Sequence, residues 1–146
     1  MRAAQTRNNF CYNARMENEV ILRDKKRHPP FVKSVGFVMR GLLAAAKSER
    51  NFRIHLCAFA AVVALGFLLH LTALEWVLVL VCSAMVLGAE LFNTSIETAV
   101  DLVSPDFNEL AGKAKDVSAA AVWVISLFSA VVGIVVFVSA ALRMWD

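Results

Sequence analysis

The chain has 146 residues, of which 59% are hydrophobic, and its mean hydropathy is +0.62. Soluble globular domains are roughly 45–50% apolar, so this composition excludes a soluble enzyme and predicts a small integral membrane protein of one domain. The formal net charge is only +3, and no nucleic-acid partner is expected.

Residues 1–30 are polar and irregular, and they end in His28-Pro29-Pro30. We predict that this segment is a flexible N-terminal tail. The remaining residues, 31–146, are predicted to form the single functional domain.

A basic amphipathic helix is predicted over about residues 31–53. Lys33, Arg40 and Lys47 fall on one helical face, whereas Val38 and Leu42 fall on the other. Helices of this type lie in the membrane interface, with the apolar face toward the lipid. We therefore place this helix on the cytoplasmic membrane surface.

Glu49 breaks the pattern of that helix, because it follows Leu42 and Ala45 on the apolar face. A carboxylate at this position points toward the bilayer or toward protein, which indicates a functional group. The alternative is an ordinary ion pair with Arg53, four residues further on. The residues alone leave both interpretations open.

Three later stretches are apolar enough to cross a bilayer, which takes about 20 residues per helix. They cover about residues 54–74, 76–99 and 117–142. The predicted fold is therefore an all-α membrane protein with an N-terminal amphipathic surface helix and three transmembrane helices.

The distribution of basic residues predicts the orientation of these spans. Nine lysines and arginines lie between residues 23 and 53, and Lys113 and Lys115 lie in the link between spans two and three. Positively charged flanks remain on the cytoplasmic side. The N-terminus should therefore be cytoplasmic, and the C-terminus should face outward.

The second span carries the most informative polar residues, Glu90, Asn93, Glu97 and Asp101. If the helix continues through them, they project within an arc of roughly 80°. A charged group at the bilayer centre costs roughly 3 kcal/mol. This stripe therefore predicts a site for a cation, a proton or a phosphate-bearing ligand.

The link after this span adds further polar groups. Ser104-Pro105-Asp106 is typical of a helix start, and Lys115 and Asp116 lie directly before the third span. The lysine either anchors the helix at the interface or faces a phosphate. Carboxylates, an amide and a lysine at one membrane depth match the requirements of phosphoryl transfer.

Several sequence runs together resemble the bacterial integral-membrane diacylglycerol kinase family. They are ELFNTSIETAVD at residues 90–101, AGKAKD at 111–116, AAAV at 119–122, GLLAAA at 41–46 and SERNFR at 48–53. The resemblance covers about residue 31 to the end and excludes the tail. Members of the family phosphorylate diacylglycerol or undecaprenol with ATP.

The resemblance implies a Mg²⁺-dependent lipid kinase of the bacterial inner membrane, assembled as a homotrimer with active sites shared between subunits. It assigns Glu90 as the catalytic base on the lipid hydroxyl, and Glu49 and Glu97 as Mg²⁺ ligands. The implied ATP-binding residues are Asn93, Asp101, Asp106, Phe107, Asn108, Lys115 and Asp116. The implied lipid-binding residues are Ala44, Ala45, Ala46, Asn51, Arg53 and Glu90.

Two positions depart from the pattern of the family. Asn108 stands where a histidine is common, and His55 stands where the enterobacterial diacylglycerol kinases have glutamate. The run from Glu49 to His55 is more similar to the undecaprenol kinase branch, which favours a polyprenol as the substrate.

Two other functions are compatible with parts of this pattern. A small proton-coupled transporter would use Glu90 as an intramembrane proton carrier, although it would not need Glu49, Lys115 and Asp116 at the cytoplasmic face. A structural membrane subunit would use its buried amide and carboxylate groups only to hold helices together.

Overall fold

The computed structural model describes residues 31–106 and 108–145, and every regular element within them is an α-helix. The helices are α1 (Phe31–Ser48), α2 (Arg50–Leu68), α3 (Ala73–Val103) and α4 (Glu109–Arg143). The last three are long and apolar enough to cross a membrane. The predicted all-α membrane fold with three spans is therefore confirmed, whereas the predicted tail lies outside the described residues.

The described residues divide into two units, with the boundary between Gly41 and Leu42. In the described part of the first unit, α1 exposes apolar side chains such as Val38, and the Arg40 guanidinium lies 4.7 Å from the centre of the Phe37 ring. An exposed apolar face on a basic helix is the pattern of an interfacial helix. The second unit contains the three long helices.

The predicted surface helix over about 31–53 is divided at Glu49, whose backbone is extended (φ −96°, ψ 117°). Arg53 therefore belongs to α2, and its guanidinium donates to the carbonyl oxygens of Ala46 and Lys47 at 3.3 and 3.0 Å. These carbonyls belong to the last turn of α1 and have no partner within that helix. Arg53 thus binds the end of α1, and the described residues show no ion pair between it and Glu49.

A tight turn joins α2 to α3, so that α2 ends at Leu68 instead of continuing to about residue 74. His70 adopts a left-handed conformation (φ 49°), and the Leu71 amide donates to the Gly66 carbonyl at 3.1 Å. Thr72 and Glu75 then form a capping box, in which each side chain accepts a backbone N–H of the other residue. This reciprocal cap fixes the start of α3.

The apolar core lies at this end of the helices. It contains the buried side chains of Leu71, Val79, Val136 and Ala140, against which Trp76 packs. At the same end, the Arg143 guanidinium donates to both oxygens of Glu75 at 2.8 and 2.9 Å. This two-pronged ion pair, which we call the Glu75–Arg143 clamp, fixes the start of α3 against the end of α4.

Gly66 of α2 lies directly against the Trp76 ring of α3, because a Cβ atom at this position would lie 2.7 Å from Cη2 of Trp76. We expect Gly66→Ala to destabilise the protein by about 1–3 kcal/mol through overpacking. Gly36→Ala is the matched control, since a Cβ atom there meets nothing within 4 Å and alanine favours the helix. Unfolding of both variants in detergent micelles, followed by circular dichroism, measures the difference. Equal stability of the two variants would contradict the expected clash.

The link between α3 and α4 corrects one prediction from the sequence. Ser104-Pro105-Asp106 does not begin a helix: α3 continues to Val103, Ser104 follows as its C-cap, and α4 begins at Glu109. The side-chain oxygen of Asn108 accepts from the amides of Leu110 and Ala111 at 2.9 and 3.3 Å. The prediction was wrong because Asn108, two residues after Asp106, is an equally good cap, and α4 begins directly after it.

Candidate functional site

Glu90 is a buried carboxylate in the interior of α3, with only 2% of its surface exposed. The helix does continue through the whole polar stripe, so Glu90, Asn93, Glu97 and Asp101 lie along one side of it. Exposure increases along the stripe, from the buried Glu90 and Asn93 to the half-buried Glu97 and the exposed Asp101. Glu90 is therefore the deepest acid of the group.

A hydrogen-bonded chain fixes the middle of the stripe. Nδ2 of Asn93 donates to Oε1 of Glu97 at 2.9 Å, and the hydroxyl of Ser118 lies 2.6 Å from Oδ1 of Asn93. The same hydroxyl lies 2.8 Å from the carbonyl oxygen of Lys115, so its single proton serves these two acceptors. The chain connects α3 to α4 and holds the Glu97 carboxylate in one orientation.

An ion pair connects the exposed end of the stripe to α4. Nζ of Lys115 lies 2.5 Å from Oδ1 of Asp101, and the side chains are 35% and 65% exposed. Exposed pairs of this kind contribute about 0–1 kcal/mol to stability. Their weak pairing leaves the ammonium group of Lys115 available to an anionic ligand.

Two residues of other elements lie within electrostatic range of Glu90. They are Glu49, in the extended break between α1 and α2, and His55, on the second turn of α2. Both are half-buried. Glu97 also interacts electrostatically with Glu90, so three carboxylates and one imidazole converge on the same region.

No hydrogen bond or ion pair to the Glu90 carboxylate is formed by the described residues. Such a partner is the usual requirement for a buried acid, because burial removes the water that solvates its charge. Apart from the backbone bonds of α3 itself, the described residues form one hydrogen bond with Glu90, in which its backbone carbonyl accepts from the hydroxyl of Thr94. The carboxylate is therefore free to receive a proton from a ligand.

The structure does not bring every predicted site residue together. Asp106, Asn108 and Asp116 are exposed and make no contact with the polar stripe through a hydrogen bond or ion pair, and Asn108 serves as the cap of α4. Phe107 lies outside the described residues. Among the predicted lipid-binding residues, Ala45 is buried, Ala46 is half-buried, and Ala44, Asn51 and Arg53 are exposed.

One residue of the site, Ser118, was not predicted from the sequence. The sequence did contain a signal, because Ser118 is the first polar residue after Lys115 on the same face of α4 and lies within a span that has no charged side chain. It was missed because a serine in a spanning helix commonly bonds only to its own backbone. Here the hydroxyl also bonds to the side chain of another helix.

Within residues 31–106 and 108–145, no group of three or more acidic, histidine or cysteine side chains has the spacing of a complete metal site. Mg²⁺ bound with a nucleotide commonly uses one or two protein carboxylates, with phosphate oxygens and water completing its shell. Glu49 and Glu97, which both approach Glu90, match this incomplete donor set.

Ser118→Ala tests the hydrogen-bonded chain. We expect the loss of the hydroxyl to leave Oδ1 of Asn93 unpaired, which destabilises the protein by about 1–3 kcal/mol. Ser95→Ala is the control, since the hydroxyl of Ser95 is exposed and bonds only to the carbonyl of Leu91 in its own helix. Equal midpoints for the two variants in denaturant titrations would show that the bond between the helices contributes nothing.

Comparison with known proteins identifies the class. The sequence profile of the family described as "Prokaryotic diacylglycerol kinase" matches residues 36–137. The undecaprenol kinase of Bacillus subtilis (strain 168) is 38% identical over 107 residues, which cover 73% of this chain and 87% of that protein. The diacylglycerol kinase of Escherichia coli (strain K12) is 34% identical over 91 residues, covering 62% and 75%.

A third relative is longer than the matched region. The diacylglycerol kinase of Synechocystis sp. (strain ATCC 27184 / PCC 6803 / Kazusa) is 37% identical over 106 residues, which cover 72% of this chain but 61% of that protein. The chain belongs to the prokaryotic diacylglycerol kinase family. The predicted family and the predicted enzyme class, a membrane lipid kinase, are therefore confirmed.

Proposed function

We propose that the protein transfers the γ-phosphoryl group of ATP to the hydroxyl of a membrane lipid alcohol, undecaprenol or diacylglycerol, at the cytoplasmic face. The observation that carries this proposal is the Glu90 carboxylate, which is buried in a spanning helix yet has no partner among the described residues. A general base needs a carboxylate that is not already bonded to another protein group, so that it can accept the proton of the substrate.

The spacing along α3 supports the assignment of Glu90 as the base. When the Glu75–Arg143 clamp lies at one membrane surface, Glu90 is 15 residues or about 22 Å further along the helix axis. That depth lies within the hydrocarbon region, which is about 30 Å thick. Glu97 is about 33 Å from the clamp, at the opposite interface. A lipid hydroxyl therefore meets Glu90 below the interface, while ATP reaches Glu97 from the water.

The proposed transfer has a simple balance of bonds. Glu90 accepts the proton of the lipid hydroxyl, and the resulting oxygen nucleophile forms a bond to the γ-phosphorus. The bond between that phosphorus and the bridging oxygen of ADP breaks, so that ADP leaves with the electron pair. The proton on Glu90 then returns to solvent, which regenerates the base for the next turnover.

Other side chains of the stripe would bind the nucleotide. Glu49 and Glu97 would hold Mg²⁺, which when bound offsets the negative charge of the ATP phosphates. Lys115 would donate to a phosphate oxygen, with Asp101 holding its ammonium group near the stripe. Asn93 orients Glu97 through its hydrogen bond, and the exposed Asp106, Asn108 and Asp116, together with Phe107, would line the nucleotide.

We further propose a homotrimer in the inner membrane, with its N-terminus in the cytoplasm. Glu49 and Glu97 supply only two ligands, and large apolar side chains on the spanning helices, including Phe92, Trp123 and Phe128, are exposed in the single chain. Neighbouring subunits could cover such side chains and contribute further groups to each site. Crosslinking of the purified protein in micelles should then yield a trimer as the largest discrete species.

Undecaprenol is the favoured substrate within this proposal. Its support is the similarity to the kinase of Bacillus subtilis that bears this name, together with His55 in place of the enterobacterial glutamate. The test is a panel of undecaprenol, diacylglycerol and ceramide with radiolabelled ATP and purified protein in mixed micelles. We expect ATP- and Mg²⁺-dependent labelling of undecaprenol at the highest kcat/KM. Proton flux in liposomes without any lipid labelling would instead support a transporter.

A further inference from the structure

Ser118 differs from the other hydroxyl residues of the spanning helices in the partner that its side chain binds. Four of the others donate to the carbonyl oxygen four residues earlier in α3, namely Ser83, Thr94, Ser95 and Thr98. Within residues 31–106 and 108–145, Ser118 alone bonds to a side chain of another spanning helix. Because a bond to the backbone of its own helix already satisfies a hydroxyl, the contact with Asn93 requires a separate explanation.

The hydroxyl of Ser118 has one proton and two neighbouring acceptors. It lies 2.6 Å from Oδ1 of Asn93 and 2.8 Å from the carbonyl oxygen of Lys115. Ser118 and Asn93 are only 8% and 7% exposed, so water has little access to either side chain. The buried amide oxygen of Asn93 therefore depends on this hydroxyl for its hydrogen bond.

This bond selects one orientation of the Asn93 amide, since the amide oxygen only accepts hydrogen bonds and the amide nitrogen only donates them. The oxygen faces Ser118, and Nδ2 donates to Oε1 of Glu97 at 2.9 Å. If the amide were turned by a half rotation, its oxygen would face the carboxylate, and two acceptors would lie against each other. The proton of Ser118 thus favours the orientation in which Asn93 donates to Glu97.

The Glu97 carboxylate is consequently held through one of its two oxygens. Oε1 accepts from Asn93, whereas Oε2 forms no hydrogen bond or ion pair within the described residues. Carboxylates that bind a metal are commonly held by such a second hydrogen bond, and Mg²⁺ accepts a single carboxylate oxygen as a ligand. The half-buried Glu97 therefore presents one free oxygen in a fixed direction.

We propose that Ser118 is a positioning residue for the metal-bound nucleotide, acting through Asn93 on the Glu97 carboxylate. This proposal rests on the kinase function proposed above, and it adds a residue that contacts neither the metal nor the nucleotide. A nucleotide without Mg²⁺ gains nothing from a carboxylate, because both carry negative charge. Ser118 should therefore affect the binding of the Mg²⁺-bound nucleotide and not that of the metal-free nucleotide.

Calorimetric titration of the full-length protein in micelles tests this difference without turnover. The probe is β,γ-methylene-ATP, which cannot transfer its terminal phosphoryl group, titrated once with MgCl₂ and once with EDTA. We expect Ser118→Ala to raise the Kd of the Mg²⁺-bound form about tenfold, as when other residues supporting a metal ligand are replaced. The Kd of the metal-free form should not change. Ser95→Ala, which removes an exposed hydroxyl bonded only within α3, should change neither value.

Two further variants separate positioning from a loss of stability. Ser118→Cys keeps nearly the same shape and a weak S–H donor, so it should raise the Kd of the Mg²⁺-bound form by less than Ser118→Ala does. In an Asn93→Ala background, Ser118→Ala should have no further effect on this Kd, because the hydroxyl acts only through the amide. Partial unfolding would instead lower the number of binding sites per chain and leave the Kd of the folded molecules unchanged.

Three results would overturn the role of Ser118 alone. One is an unchanged Kd for the Mg²⁺-bound nucleotide in Ser118→Ala. Another is equal weakening of the Mg²⁺-bound and metal-free forms, which would indicate a purely structural role. The third is an equal effect of Ser118→Ala with and without the Asn93 side chain. Failure of the unsubstituted protein to bind the Mg²⁺-bound nucleotide would be a different result, because it would overturn the proposed kinase function together with this proposal.

Discussion

Replacing Glu90 with glutamine is expected to lower kcat by about 10²–10⁴-fold, the usual contribution of a general base. The amide has nearly the shape of the carboxylate but cannot take the proton of the lipid hydroxyl. Because the Glu90 carboxylate makes no hydrogen bond within the described residues, the change should leave the fold intact. Initial rates of lipid phosphorylation, measured at saturating ATP and lipid, give the effect.

The matched control is Glu75→Gln, a change of the same kind on the same helix. Glu75 belongs to the clamp with Arg143 at the opposite end of α3, so its replacement should change stability without removing the base. Thermal unfolding of each variant separates the two effects. Full activity of the Glu90 variant would rule out its assignment as the base.

The second large effect concerns Mg²⁺. Glu97→Gln and Glu49→Gln are each expected to raise the Mg²⁺ concentration for half-maximal activity by about 10–100-fold, the range measured when residues supporting a metal site are replaced. Each removes one of the two carboxylates that would hold the ion beside the phosphates. Activity titrations with MgCl₂ at constant free ATP measure the shift.

The double variant Glu49→Gln/Glu97→Gln strengthens this test. Because ligands of one ion act together, the shift of its Mg²⁺ midpoint should differ from the sum of the two single shifts. Glu75→Gln again supplies the control, since it lies about 33 Å from Glu97 along the helix axis. Unchanged Mg²⁺ midpoints in both single variants would contradict the metal assignment while leaving the assignment of Glu90 intact.

The sequence predicted those features that depend on helical periodicity and hydrophobic length. The three spans follow from runs that no soluble core could accommodate, and the stripe from Glu90 to Asp101 follows from a continuous α3. The family was predicted from sequence runs with a fixed spacing of polar residues, such as ELFNTSIETAVD at residues 90–101. These features are local in the chain, so one sequence sufficed to identify them.

Other features depend on contacts between elements and were not predicted. The break at Glu49 is accompanied by Arg53 binding the carbonyls of the preceding helix, although an ion pair at the same spacing was equally reasonable. Ser118 joins the site only because α4 packs beside α3 at Asn93. The start of α4 depended on a choice between two adequate caps, which local propensity alone does not decide.

The Glu75–Arg143 clamp has a consequence for the response of the protein to bilayer thickness. Together with the buried bond between Ser118 and Asn93, it connects α3 to α4 at two distant levels, so that sliding of one helix along the other would break both contacts. A bilayer thicker or thinner than the hydrophobic length must then tilt the pair as one body, which moves every polar group of the site together. The enzyme should accordingly be tuned to one membrane thickness, since tilting changes the depth of Glu90 without changing its distance from Glu97.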